Sequence, residues 1–179
     1  MKRPYLTLAL VFLLAGCQST PMQPLPLAKS VDLDRFMGDW YVIAATTTFI
    51  DREAVDAIES YRKAPDGSIA TTYTFRDGGF DAKLETYTPR GFVEPGTGNA
   101  VWGMQFVWPI RSDYRIAWLA PDYSRVVVAR EKRDYAWIMA RTPRIPEAEV
   151  EELYAFLRAN GYDTGKLRRI PHGAKGGGR

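Results

Sequence analysis

From Trp40 onward the chain alternates short runs rich in Val, Ile, Thr and aromatic residues with turn signals about every 8 to 12 residues. The runs cover residues 40–48, 54–63, 68–76, 80–88, 100–107, 114–120, 125–130 and 135–141. Pro65-Asp66-Gly67, Asp77-Gly78-Gly79, Pro89-Arg90-Gly91, Pro121-Asp122 and Lys132-Arg133-Asp134 separate most of them. No helical period intervenes, so neighbouring runs are expected to pair as antiparallel hairpins. Eight strands paired in succession can close on themselves, which removes the exposed edges that invite aggregation. Within the runs, Ile69, Thr71, Tyr73 and Phe75 share one face, as do Ala100, Trp102, Met104 and Phe106. The expected fold is all-β: an eight-stranded antiparallel up-and-down barrel with one C-terminal α-helix packed outside.

The helix is expected after Pro146, a residue suited to the first helical position. Val150, Leu153, Tyr154 and Leu157 form one apolar stripe. Glu147, Glu149, Glu151 and Glu152 crowd its start and Arg158 its end, matching the helix dipole. Asn160-Gly161 is a stop signal. A short final strand is expected near residues 167–170, and residues 173–179 read as a flexible tail.

The first residues follow other rules. Lys2 and Arg3 precede an apolar stretch from Leu6 to Leu14. That stretch is far short of the roughly 20 residues a spanning helix needs, and it reads as a secretory signal. Leu14-Ala15-Gly16-Cys17 resembles the lipobox of bacterial lipoproteins. The resemblance implies removal of residues 1–16 and acylation of Cys17, the membrane anchor. Residues 17–30, with Pro21, Pro24 and Pro26, read as an extended tether. Gln18 resembles the outer-membrane sorting pattern, so the domain is expected to be held at the outer membrane, facing the periplasm. Cys17 is the only cysteine, which excludes an internal disulfide. Without residues 1–16 the chain keeps 22 basic and 21 acidic side chains. That balance, with no basic stripe, argues against nucleic acid as a partner.

Three segments carry a family resemblance. Gly38-Asp39-Trp40-Tyr41 resembles the G-x-W signature that opens a lipocalin barrel. Residues 114–123, ending in Asp122-Tyr123, resemble the second family segment, and residues 133–143, containing Arg141, the third. The likeness spans residues 31–172 and is strongest to bacterial outer-membrane lipocalins, which resemble apolipoprotein D. It implies one cavity for a small apolar ligand, with fatty acids and lysophospholipids the expected class. It also implies that Arg141 stacks on Trp40 at the closed end, with Gly38 permitting close approach.

Tyr61, Tyr73, Phe75, Trp102, Met104, Phe106, Tyr114, Ile116 and Trp137 are the candidate lining of the cavity. A one-residue shift of register would turn any strand's set outward. His172, the single histidine, lies beside the tail, so neither a catalytic triad nor a histidine metal site is expected. No catalytic residue, metal or cofactor is assigned. A binding module is the leading reading; a lipid-acting enzyme and a structural barrel without ligand stand as alternatives. Oligomeric state is left open, a homodimer included.

Overall fold

The computed structural model describes residues 23–173. Cys17, the signal of residues 1–16 and the tail beyond Gly173 lie outside the described residues. In chain order the elements are a short helix α1 (Leu33–Phe36), strands β1 (Gly38–Thr46), β2 (Ala54–Lys63), β3 (Ile69–Asp77), β4 (Leu84–Tyr87), β5 (Arg90–Val93), β6 (Val101–Val107), β7 (Ile110–Leu119), β8 (Arg125–Ala129) and β9 (Ala136–Ala140), helix α2 (Glu147–Ala159) and strand β10 (Leu167–Arg169). Neighbours pair antiparallel throughout, and β1 pairs with β9 through Tyr41↔Ala140 and Val42↔Met139. The sheet therefore closes. Because β4 and β5 are two halves of one barrel strand, the barrel has eight strands, with β10 added along β1.

The fourth run departs from its expected span of residues 80–88. Pro89, which has no N–H to give a ladder, splits it. Before it, β4 pairs with β3 alone; after it, β5 bridges β3 and β6. The fifth-to-sixth connection also differs. Trp108 and Pro109 form a two-residue turn, and β7 starts at Ile110, earlier than the expected Tyr114. Register shifts in β1, β2, β6 and β7 mark bulges, which bend and twist strands as a small closed barrel requires.

Alternation divides the core in two. Trp40, Val42, Tyr61, Ile69, Phe75, Trp102, Ile116, Val126, Val128 and Met139 fill the inside. Outward-facing Ala44, Ala117, Ala129, Ala136 and Ala140, with Val127 and Ile138, receive Val150, Leu153 and Leu157 of α2. Small strand residues let the helix lie close. The helix ends at Asn160, followed by Gly161 at φ 84° and a bond from the Tyr162 N–H to the Leu157 carbonyl. That is the Schellman arrangement glycine allows. Pro146 stands just before α2, at its cap rather than its first turn.

One sequence expectation needs correction. Residues 23–30 do not hang free as a tether: Leu25 is buried against the helix side and the Ala28 N–H donates to the Ile116 carbonyl. His172, beside the tail, is buried, with Nε2 2.9 Å from the Val42 carbonyl. Burial holds its imidazole below the usual range, only partly offset by that bond and by Asp56.

One end of the barrel is plugged. Asp32 caps α1, and Phe36 enters the barrel end between Trp40, Tyr61 and Trp102, with ring centroids 5.1–5.5 Å away. The Trp40 indole N–H donates to the Phe36 carbonyl, while the Arg141 guanidinium lies 3.8 Å above the indole. Arg141 also donates to the carbonyls of Arg35, Phe36, Met37 and Asp39. Gly38, at φ 94°, makes the turn into β1 that brings these carbonyls round. Beside it, Arg35 stacks 4.0 Å over Tyr123, whose hydroxyl accepts from the Asp32 N–H. Asp122 accepts from Ser124, holding the turn that carries Tyr123. Trp40→Ala should cost about 3–5 kcal/mol, as for other buried large-to-small changes, and Arg141→Ala less, because its carbonyl partners can reach water. A double-mutant cycle on urea unfolding should give a coupling of up to about 2 kcal/mol; purely additive losses would show two independent contacts.

Candidate functional site

Strands β1, β3, β6 and β8 run away from the plugged end, so residues 47–53, 78–83, 108–109 and 130–135 ring the other. There the inner side chains no longer meet, and a cavity of about 270 Å³ opens toward solvent. Its lining is mostly apolar and aromatic. Of the nine candidate residues, Tyr73, Met104, Phe106, Tyr114 and Trp137 line it. Tyr61, Phe75, Trp102 and Ile116 are wholly enclosed and do not. They share the inner face but sit elsewhere: Trp102 and Tyr61 pack on Phe36, Ile116 belongs to the inner core, and Phe75 is held between Tyr73 and Tyr87.

The cavity also has polar members that sequence reading did not single out: Thr48, Glu59, Thr71, Ser112, Asp113 and Arg130, together with Pro89 and Tyr135. Glu59 follows from the alternation of β2, since it lies two residues before the inward Tyr61. A carboxylate is simply an unusual choice for an inner face. Its half-buried side chain borders the cavity. Tyr61 donates to Glu59, and Tyr114, 2.6 Å from the Tyr61 hydroxyl, must then donate to Tyr61, which has a single proton to give.

Burial pushes the Glu59 carboxyl up to about 7; the Tyr61 bond opposes this and the Asp51 charge adds to it. Burial likewise raises Tyr61, Tyr114 and Tyr73, with nearby carboxylates reinforcing the effect. Asp51 is buried above Glu59's neighbour Tyr73, accepting from the Tyr73 hydroxyl at 3.1 Å and from Thr48. Thr71 is buried with its hydroxyl lacking a hydrogen-bond partner among the described residues. Arg130 supplies positive charge at the rim, its Nε 3.4 Å from Asp134. Asp113 is engaged by Arg115 and by the Glu131 N–H. Among the described residues no group of His, Cys, Asp and Glu is placed to hold a metal ion.

Chemically, the site is an apolar slot with a protonatable acid at its base and a cation at its rim.

The comparisons agree with this geometry. The sequence model of one family, described as a lipocalin-like domain, matches residues 31–172. Temperature-induced lipocalin-1 of Arabidopsis thaliana is 27% identical over 168 residues, covering 85% of each chain. Outer membrane lipoprotein Blc of Escherichia coli K12 is 28% identical over 168 residues, covering 87% of this chain and 88% of that one. Among solved structures, insecticyanin of the tobacco hornworm Manduca sexta superposes with a TM-score of 0.63 at 16% identity, covering 86% of each chain; that likeness speaks for the fold alone.

The acid at the base has a readable consequence. Folded Glu59 keeps its proton to about pH 7, whereas in the unfolded chain it loses it near the ordinary glutamate value of 4.5. At Glu59 the folded form therefore binds more protons across that window, and this group's contribution to stability falls as pH rises through it, then levels off, against the opposite contribution of His172, which burial keeps neutral. Glu59→Gln should flatten this fall and exceed the parent in stability above pH 7. Urea midpoints at pH 5 and pH 8 for both proteins check it; an equal drop in both would place the titrating group elsewhere.

Proposed function

Because the chain belongs to the lipocalin-like family, whose members bind small hydrophobic ligands, we propose that it is a membrane-tethered carrier of single-chain lipids, namely fatty acids or lysophospholipids, in the bacterial cell envelope. The observation that carries the reading is the aromatic cavity above the plugged end. Its volume of about 270 Å³ lies near the low end of the roughly 300–1,000 Å³ usual for small-molecule sites. One acyl chain suits such a slot better than two. Glu59 makes the base inhospitable to an anionic head group, while Arg130 offers a positive partner at the rim. The favoured pose is tail inward, with the carboxylate or phosphate held at the mouth.

Anchorage through Cys17 rests on its lipobox-like context, and an outer-membrane location on relatives named outer membrane lipoprotein Blc. Intact mass measurement of protein purified from membranes should show a chain that begins at Cys17 and carries acyl groups. In Cys17→Ser the added mass should vanish and residues 1–16 should remain. An unmodified cysteine in the parent would remove the anchor.

Ligand binding has a built-in reporter, since Trp137 lines the cavity. Titration with a long-chain fatty acid should change tryptophan fluorescence saturably at one equivalent, with affinity of about 1 μM, near −8 kcal/mol. Arg130→Ala should weaken that binding roughly tenfold, the loss of one charge-assisted hydrogen bond. Silence toward fatty acids and lysophospholipids alike, by fluorescence and calorimetry, would favour a structural barrel.

A further inference from the structure

The large apolar side chains left exposed among the described residues all belong to one end of the molecule. Phe49 is 86% exposed, Trp108 82%, Ile110 68% and Val107 67%, with Phe80 and Leu84 at 47% each. They come from three separate turns and the start of β4, far apart in sequence, yet the barrel gathers every one around the cavity mouth. Phe106, which lines the cavity, is itself 57% exposed and joins the lining to the Val107–Trp108 turn. A soluble protein that faced water on all sides would have scattered such residues; contiguous apolar surface marks a contact.

A second, independent observation says what covers it. The chain enters the described structure at the same end, where the Gln23 carbonyl accepts from Arg133 in the β8–β9 turn, at 2.7 Å. The Leu25 N–H, two residues on, donates to Glu131 of that turn. Gln23 lies six residues beyond Cys17, a reach of about 20 Å at full extension. A lipid anchor at Cys17 therefore cannot stand far from the mouth, and the nine-residue strand β1 spans about 30 Å from mouth to plug. The plugged end cannot be the one that meets the anchoring bilayer.

We infer that the mouth of the barrel, through Phe49, Phe80, Val107, Trp108 and Ile110, docks on the lipid surface to which the chain is tethered, so that the cavity opens directly onto the membrane. The inference rests on the tethered-carrier reading and adds the route by which a lipid would enter. Exposed charges of both signs surround the patch, Arg52 and Glu53, Asp81 and Lys83, Lys132 and Asp134. No single-sign field is available to hold an anionic surface, so the contact is apolar: aromatic and aliphatic tips inserted at the interface, Trp108 foremost.

The test uses the mature chain, residues 17–179 made without the signal and carrying Cys17→Ser, which removes acylation, with vesicles of phosphatidylethanolamine and phosphatidylglycerol. The parent should float with the vesicles and stay with them in 1 M salt, where screening is nearly complete. Adding Trp108→Asp and Ile110→Asp should weaken partitioning at least about tenfold, as expected for losing two inserted apolar side chains. Fatty-acid titration in vesicle-free buffer should be the same for both proteins, showing that the fold and cavity are intact. Flotation unchanged by the two substitutions would overturn the inference. So would a parent that stays off vesicles and sediments as a dimer that the substitutions dissociate, because a second copy would then cover the face. A silent titration in both proteins beside the expected flotation would instead sink the carrier reading and leave the docking face standing.

Discussion

A sheet that closes into a barrel must bring its first and last strands together and seal at least one end, and here both demands meet at Arg141. It follows β9, the last barrel strand, and reaches the beginning of β1, the first. Helix α1 is only four residues long, so its final carbonyls have no partners within the helix. The Arg141 guanidinium takes the carbonyls of Arg35, Phe36 and Met37 while its flat face covers Trp40. One side chain thereby fixes α1, and α1 in turn carries Phe36 under the barrel. Lysine could supply the charge but not the planar fork that serves four carbonyls at once.

What happens above depends on that plug. Phe36, Trp40, Tyr61 and Trp102 occupy the interior from below, and the space they consume decides where open volume begins. Glu59 stands at this boundary, tied downward to Tyr61 and facing the cavity above. Gly91 contributes quietly on the wall: a Cβ there would come within 3.2 Å of the Trp102 ring. On the side where Pro89 divides the fourth strand, β4 gives β6 no ladder, and Phe106 and Val107 are left uncovered near the rim. The same break that opens the wall also places apolar side chains at the mouth.

Much of this was legible beforehand. The alternation in residues 69–75 put Tyr73 and Phe75 on the inner face with Ile69, and the stripe of Val150, Leu153 and Leu157 named the face of α2 that packs. Other features were hidden for physical reasons. Glu59 obeys the alternation, but hydropathy alone argues against a buried acid, and only its tyrosine partners make it tolerable. Residues 23–30 look like a linker because prolines interrupt them, yet Leu25 finds an apolar seat against α2's surroundings. The burial of His172 was hidden because nothing near it in sequence reveals Val42.

The sequence by itself determined how many barrel strands there would be, the order in which they pair, the position of the one long helix and which side chains of a strand share a face. These are local matters, set by a period of two residues, a period near 3.6 and the turn residues between. Height along the barrel axis is different. Met104 and Trp102 have the same parity, yet Met104 borders the cavity and Trp102, nearer the plug, is sealed in packing. Alternation assigns a face but carries no information about depth, which follows from the stagger of eight strands and the intrusion of Phe36. Likewise, only closure brings Phe49, Phe80 and Trp108 to one rim, because residues so distant in the chain become neighbours through the barrel alone.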